Sequence, residues 1–122
     1  MRIAVIEDER PIREGLVHIL NKISPEYQVV GSAENGREGL ILLEEQDPDL
    51  ILLDIQMPDM NGLQMLKEAR ERGSMTKVVI LTAYSDFDYA KKAIALGIEN
   101  YLLKPVNLTE LKNTLSKIKE EI

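Results

Sequence analysis

Five short aliphatic runs recur along the chain, and a longer stretch with helical spacing follows each of them. The runs lie at 3–6, 28–31, 50–53, 78–81 and 101–103. Those at 3–6, 50–53 and 78–81 are apolar at every position, as strands covered on both faces require. Between them, Ile12, Leu16, Ile19, Leu20 and Ile23 form one helical stripe, and Leu63, Leu66, Ala69 and Arg70 form part of another. Leu108, Leu111, Leu115 and Ile118 follow at steps of three, four and three. Helix ends are marked as well. Pro11 suits a first turn, Asn61 with Gln64 and Asn107 with Glu110 have capping spacing, and Gly97 stands where the fourth helix should stop.

Strand–helix–strand units pair in parallel through right-handed crossovers. Five of them in 122 residues are too few for a closed eightfold barrel. The expected fold is therefore α/β, a (βα)5 doubly wound parallel sheet with the flavodoxin-like strand order 2-1-3-4-5. Residues 1–122 read as a single domain. The last helix ends near Glu121 with no linker after it, so any output domain is expected to lie outside this chain. Ligands of such sheets bind beyond the carboxyl ends of the strands, where the strand order reverses. Here that point lies between strands 1 and 3.

The strand ends carry an unusual set of polar residues. Strand 1 runs into Glu7, Asp8 and Glu9; strand 3 ends in Asp54, strand 4 in Thr82, and strand 5 in Lys104 followed by Pro105. Neighbouring carboxylates repel unless a cation sits among them. Oxygen ligands without His or Cys suit a hard ion, Mg²⁺ above all. A carboxylate is also a phosphoryl acceptor, and Lys104 and Thr82 offer a positive charge and a neutral donor to phosphoryl oxygens. Each residue has a plainer reading too. Asp54 could be a solvated strand-end acid, Glu7 and Asp8 could favour a helix N-terminus, Thr82 could be an ordinary strand threonine, and Lys104 a surface lysine. The weight rests on their joint occurrence.

Composition narrows the alternatives. The formal net charge of −6 disfavours direct contact with nucleic acid or an anionic membrane. No cysteine is present, so disulfides, thiolate zinc sites and thiol nucleophiles are excluded. No stretch approaches the roughly 18 apolar residues of a membrane span, and a cytoplasmic location is the default expectation.

The segments VIEDE at 5–9, LLDIQMPDMNG at 52–62, LTAYS at 81–85 and YLLKP at 101–105 occur in an order and spacing that resemble a response-regulator receiver domain over the whole chain. The resemblance implies that Asp54 is the phosphoacceptor, and that Asp8, Asp54 and the Gln56 backbone carbonyl ligate Mg²⁺. Glu7 would act mainly through a metal-bound water. Thr82 and Lys104 would bind the phosphoryl oxygens, Tyr101 would be the aromatic switch, and the bond before Pro105 would be cis. Glu7 stands where such domains also use Asp, and Gln56 and Tyr84 flank the path of attacking water.

By the same resemblance, a sensor histidine kinase donates the phosphoryl group, and the α4–β5–α5 face is repacked to control an output, with homodimerisation as one outcome. The stretch TAYSDFDYAKKAI is most similar to receivers that precede AraC-type DNA-binding domains, which implies control of transcription. No substrate turnover is implied beyond self-phosphorylation and slow autodephosphorylation. Two rival readings are a phosphorylation-independent interaction module and an aspartate-nucleophile phosphatase of the haloacid dehalogenase type. The phosphatase usually needs a second acid two residues after the nucleophile, where this chain has Gln56.

Overall fold

The computed structural model describes residues 1–57, 60–83 and 87–122. Strands and helices alternate as β1 (Arg2–Ile6), α1 (Arg10–Ile23), β2 (Gln28–Ala33), α2 (Gly36–Gln46), β3 (Leu50–Asp54), α3 (Gly62–Glu71), β4 (Lys77–Thr82), α4 (Phe87–Ala95), β5 (Asn100–Leu103) and α5 (Leu108–Glu121). The five strands form one sheet in the order β2-β1-β3-β4-β5, with parallel pairing throughout.

Strand alternation sorts the aliphatic runs into two cores. Ile3, Val5, Leu50, Leu52, Val79 and Leu81 pack beneath Leu16 and Leu20 of α1 and Leu111, Leu115 and Ile118 of α5. Ala4, Ile6, Ile51, Leu53, Val78 and Ile80 face the other way, against α2, α3 and Ala93 of α4. A strand with helices on both faces has no solvated side, so its sequence loses the polar half of the period.

Local chemistry fixes the helix ends. Asn61 accepts from the Gln64 amide while Gln64 reaches back to the Asn61 amide, so the α3 capping box closes. Asn107 accepts from the Glu110 amide at 3.0 Å and starts α5. Gly97, at φ +79, follows the end of α4 in the left-handed region that glycine enters without strain.

Two stripes differ from the expectation. Leu108 is 48% exposed and Ile19 is 37% exposed, although both fall on the expected apolar faces. Leu108 is the first residue of α5. Ile19 lies on the flank of α1, where it lines an open cleft. Met65, outside the expected stripe, is fully buried between Leu63 and Leu66 because α3 is enclosed on a wider arc than four residues mark.

Candidate functional site

Register places the polar residues before any side chain is considered. Ile6 pairs with Leu53, so Glu7 and Asp54 are the next residues along neighbouring strands at the reversal of strand order. Asp54 pairs with Leu81 and Thr82 with Leu103, which sets Thr82 and then Lys104 just above this row.

Alternation divides them by face. Glu7, Asp54 and Lys104 continue the parity of Val5, Leu52 and Leu102, beneath α1 and α5. Thr82 and Tyr101 continue the parity of the opposite core, and Tyr101, half-buried, packs against it. The described residues thus approach the rim from both sides of the sheet.

The acids converge. Glu7, Asp8 and Asp54 each offer a carboxylate oxygen, and these oxygens lie within 4.8 Å of one another. Glu7 is 0% and Asp54 2% exposed, a degree of burial that carboxylates tolerate only with a partner. The partner is Lys104. Its ammonium donates to Glu7 Oε1 and lies 3.2 Å from Asp54 Oδ1. The Gln56 amide also donates to Asp54 Oδ1, at 3.3 Å.

One ammonium among three acids leaves a formal surplus of negative charge. Burial first, then the adjacent Glu7 carboxylate, push Asp54 from its ordinary 3.8 up to about 8, against the pull of Lys104. Lys104 is itself held above its ordinary range. Burial opposes its charge, but Glu7 and Asp54 outweigh it.

The donor set contains oxygen alone, in a cluster small enough for a compact dication, and so fits Mg²⁺ rather than a soft metal. Asp8 and Asp54 supply carboxylates, and Gln56 lines the opening beside Asp54. That opening is a cleft of about 620 Å³ between α1 and the turn after β5, walled by Ile12, Leu16, Ile19, Pro105 and Val106.

The Lys104–Pro105 bond is cis. Tyr84, expected to flank the path of attacking water, lies outside the described residues. Gly62 has an evident task. A Cβ there would stand 2.3 Å from the Asp54 carbonyl oxygen and 2.9 Å from Ile55 Cα, so α3 begins against the backbone that carries the acid.

Arg13, which no motif in the sequence marks, belongs to this rim as well. Its Nη1 donates to the Glu7 carbonyl at 2.8 Å. The available signal was a cation one turn into the helix that follows two acids.

Residues 3–116 match the family model of the response regulator receiver domain. The chain belongs to that family. This receiver is 31% identical over 121 residues to the transcriptional regulatory protein YesN of Bacillus subtilis, a match covering 99% of the chain and 33% of that protein. It is 35% identical over 114 residues to the transcriptional regulatory protein YdfI of the same organism, covering 93% of the chain and 53% of that protein. The receiver thus spans between a third and about half the length of these relatives.

Among solved structures, the receiver domain of AraT, a response regulator from Geobacillus stearothermophilus, superposes with a TM-score of 0.88 at 35% identity, covering 98% of this chain and 93% of that one. A DNA-binding response regulator of the LuxR family from Staphylococcus aureus gives 0.88 at 30% identity, over 96% and 97% of the two chains. Among the described residues no helix is long and apolar enough to cross a membrane.

Proposed function

We propose that this receiver is a phosphorylation switch in which Asp54 accepts a phosphoryl group from a phosphohistidine of a sensor histidine kinase. One observation carries the reading. Asp54 is buried at the strand-order reversal, within reach of two further carboxylates and 3.2 Å from an ammonium. Nothing in packing requires that arrangement.

Mg²⁺ held by Asp8, Asp54 and the Gln56 carbonyl, with Glu7 acting mainly through water, would offset phosphoryl charge and Asp54's own repulsion from its neighbours. The residues do the positioning. The Gln56 amide and Lys104 both grip Asp54 Oδ1 and hold that oxygen in place. Asp54 attacks phosphorus as the phosphorus–nitrogen bond breaks, and the imidazole leaves with the bonding pair and takes up a proton. Lys104 then follows the new oxygens, and Thr82 supplies a neutral donor from the far side of the sheet.

The aspartyl-phosphate adds charge and acceptor oxygens at one point. Thr82 and Tyr101 share a sheet face and sit on paired strands, so a shift of Thr82 toward the phosphoryl group opens space for Tyr101. The population then moves between two packings of the α4–β5–α5 face, where Ile94, Leu103 and Leu108 are exposed. Those apolar side chains give the phosphorylated form a surface for an output domain or a second copy.

The receiver is read as one part of a longer cytoplasmic transcription regulator, AraC-type by the look of residues 82–94. DNA contact is left to the output domain, in keeping with the charge of −6. The chemistry is confined to its own aspartate, so it is a switch and not a catalyst of substrate turnover.

The test is a radiolabelled small phosphodonor, acetyl phosphate, with Mg²⁺. Label should enter the wild type, require the metal, and vanish in Asp54→Ala. Label retained by Asp54→Ala would refute the assignment.

A further inference from the structure

We propose that Arg13 is the positioning residue of the acid pair, holding Glu7 and Asp8 in the attitude that captures the cation. The inference rests on the phosphorylation reading and concerns a residue outside its ligand set.

The turn between β1 and α1 carries two of the three clustered acids. The Glu7 amide makes the last sheet contact of this segment, donating to the Ala33 carbonyl at 3.0 Å. Beyond it the strand ladder ends, and the Glu7 and Asp8 carbonyls need donors from elsewhere. Arg13 Nη1 reaches back from the first turn of α1 to the Glu7 carbonyl at 2.8 Å, with the Asp8 carbonyl at 3.4 Å. Its own amide is tied to Glu9, at 2.9 Å, so turn and helix lock as a unit.

The consequence falls on Asp8. Glu7 is directed by Lys104, and Asp54 by Lys104 and the Gln56 amide. Among the described residues the Asp8 carboxylate accepts no hydrogen bond, so what holds it is the direction of its Cα–Cβ bond, which the flanking peptide planes set. Arg13 fixes those planes. Its guanidinium also brings a permanent positive charge to the Glu7 and Asp8 carbonyls.

Arg10, on the same helix, is a built-in contrast. It is exposed and pairs with Glu14 at 2.8 Å, away from the site.

The test uses the 122-residue chain, stripped of metal and titrated with Mg²⁺ by calorimetry, beside thermal melting and the Glu7 carbonyl-carbon NMR shift. Arg13→Ala should weaken Mg²⁺ binding roughly 10-fold, the scale seen when a group that orients a ligand is lost. It should also move the Glu7 carbonyl signal before any metal is added. Arg13→Lys, which keeps the charge and a donor, should recover part of the affinity, Arg13→Gln less, and Arg10→Ala should bind as the wild type does.

Wild-type affinity in all three Arg13 variants would overturn the inference and leave the phosphorylation reading standing. A wild-type chain that takes up no Mg²⁺ would overturn both. Should Arg13→Ala fail to fold, the Lys and Gln variants decide: affinity following melting temperature across Lys, Gln and wild type reduces Arg13 to a structural residue, whereas affinity lost at equal melting temperature upholds it.

Discussion

At the carboxyl end of the sheet Lys104 faces carboxylates, whereas at the amino end Arg2 and Arg70 face carbonyl oxygens. Arg70, half-buried at the close of α3, donates to the carbonyls of Leu96, Ser74, Thr76 and Gly97 at 2.8–3.0 Å. It ties the entries of β4 and β5 to α3. Arg2 does similar work, donating to the Gln46 and Asp47 carbonyls and to Gln46 Oε1. Carbonyls do not titrate, so these clamps hold at any ordinary pH.

The carboxyl end is built the other way. Its buried acids outnumber the ammonium, and repulsion remains until a cation or a proton arrives. One end of the fold is satisfied. The other stores the imbalance that a ligand can relieve, which is why chemistry can gather there.

Three substitutions probe that contrast. The largest effect is expected at Gly62, where an alanine would drive its Cβ into the Asp54 and Ile55 backbone. Gly62→Ala should cost about 3 kcal/mol in urea denaturation, because the neighbours it meets are main chain and cannot swing aside. Wild-type stability would mean that the loop after β3 is softer than the contact implies.

Arg70→Ala comes next, at about 2 kcal/mol, since it leaves several carbonyls at the amino end without their donor. Mg²⁺ affinity should stay unchanged in this variant. If calorimetry shows the affinity falling with stability, the two ends are coupled and the contrast breaks down.

Asp54→Asn should act in the opposite sense. The folded-state value near 8 exceeds the ordinary 3.8, so the stability contributed by Asp54 is fully present below about 3.8 and is lost as pH rises toward 8. Without metal, the asparagine variant should therefore be more stable than wild type at pH 7.5. The gain should exceed about 1.4 kcal/mol, one pKa unit's worth, and disappear near pH 4. Melts across that range would show it, and a gain independent of pH would point to packing instead.

Much of the fold was legible because its signals are local. The all-apolar runs at 3–6 and 50–53 mark covered strands, and the pair Asn61 and Gln64 needs only its spacing to announce a capping box. The site was legible for a related reason: Glu7, Asp54 and Lys104 each sit at the end of a recognisable strand. Leu108 and Ile19 misled because a helical stripe reports which residues share a face and not how far a neighbour extends over it. Arg13 escaped notice, and Arg70 was placed on a helical stripe without a role, because an arginine that grips carbonyls looks, in sequence, like one that faces water.

The order of residues along the chain sufficed to determine the alternation of strands and helices, the parallel sheet, and the identities of the polar groups at its rim. Those properties follow from periodicity and from chemistry carried within a few residues. Tertiary structure alone decided which acids share one ammonium, that Gly62 is small because a backbone lies against it, and that Asp54 is buried enough to hold its proton near neutrality. Those depend on distances between strands far apart in sequence, where desolvation and Coulomb repulsion change over a few ångströms.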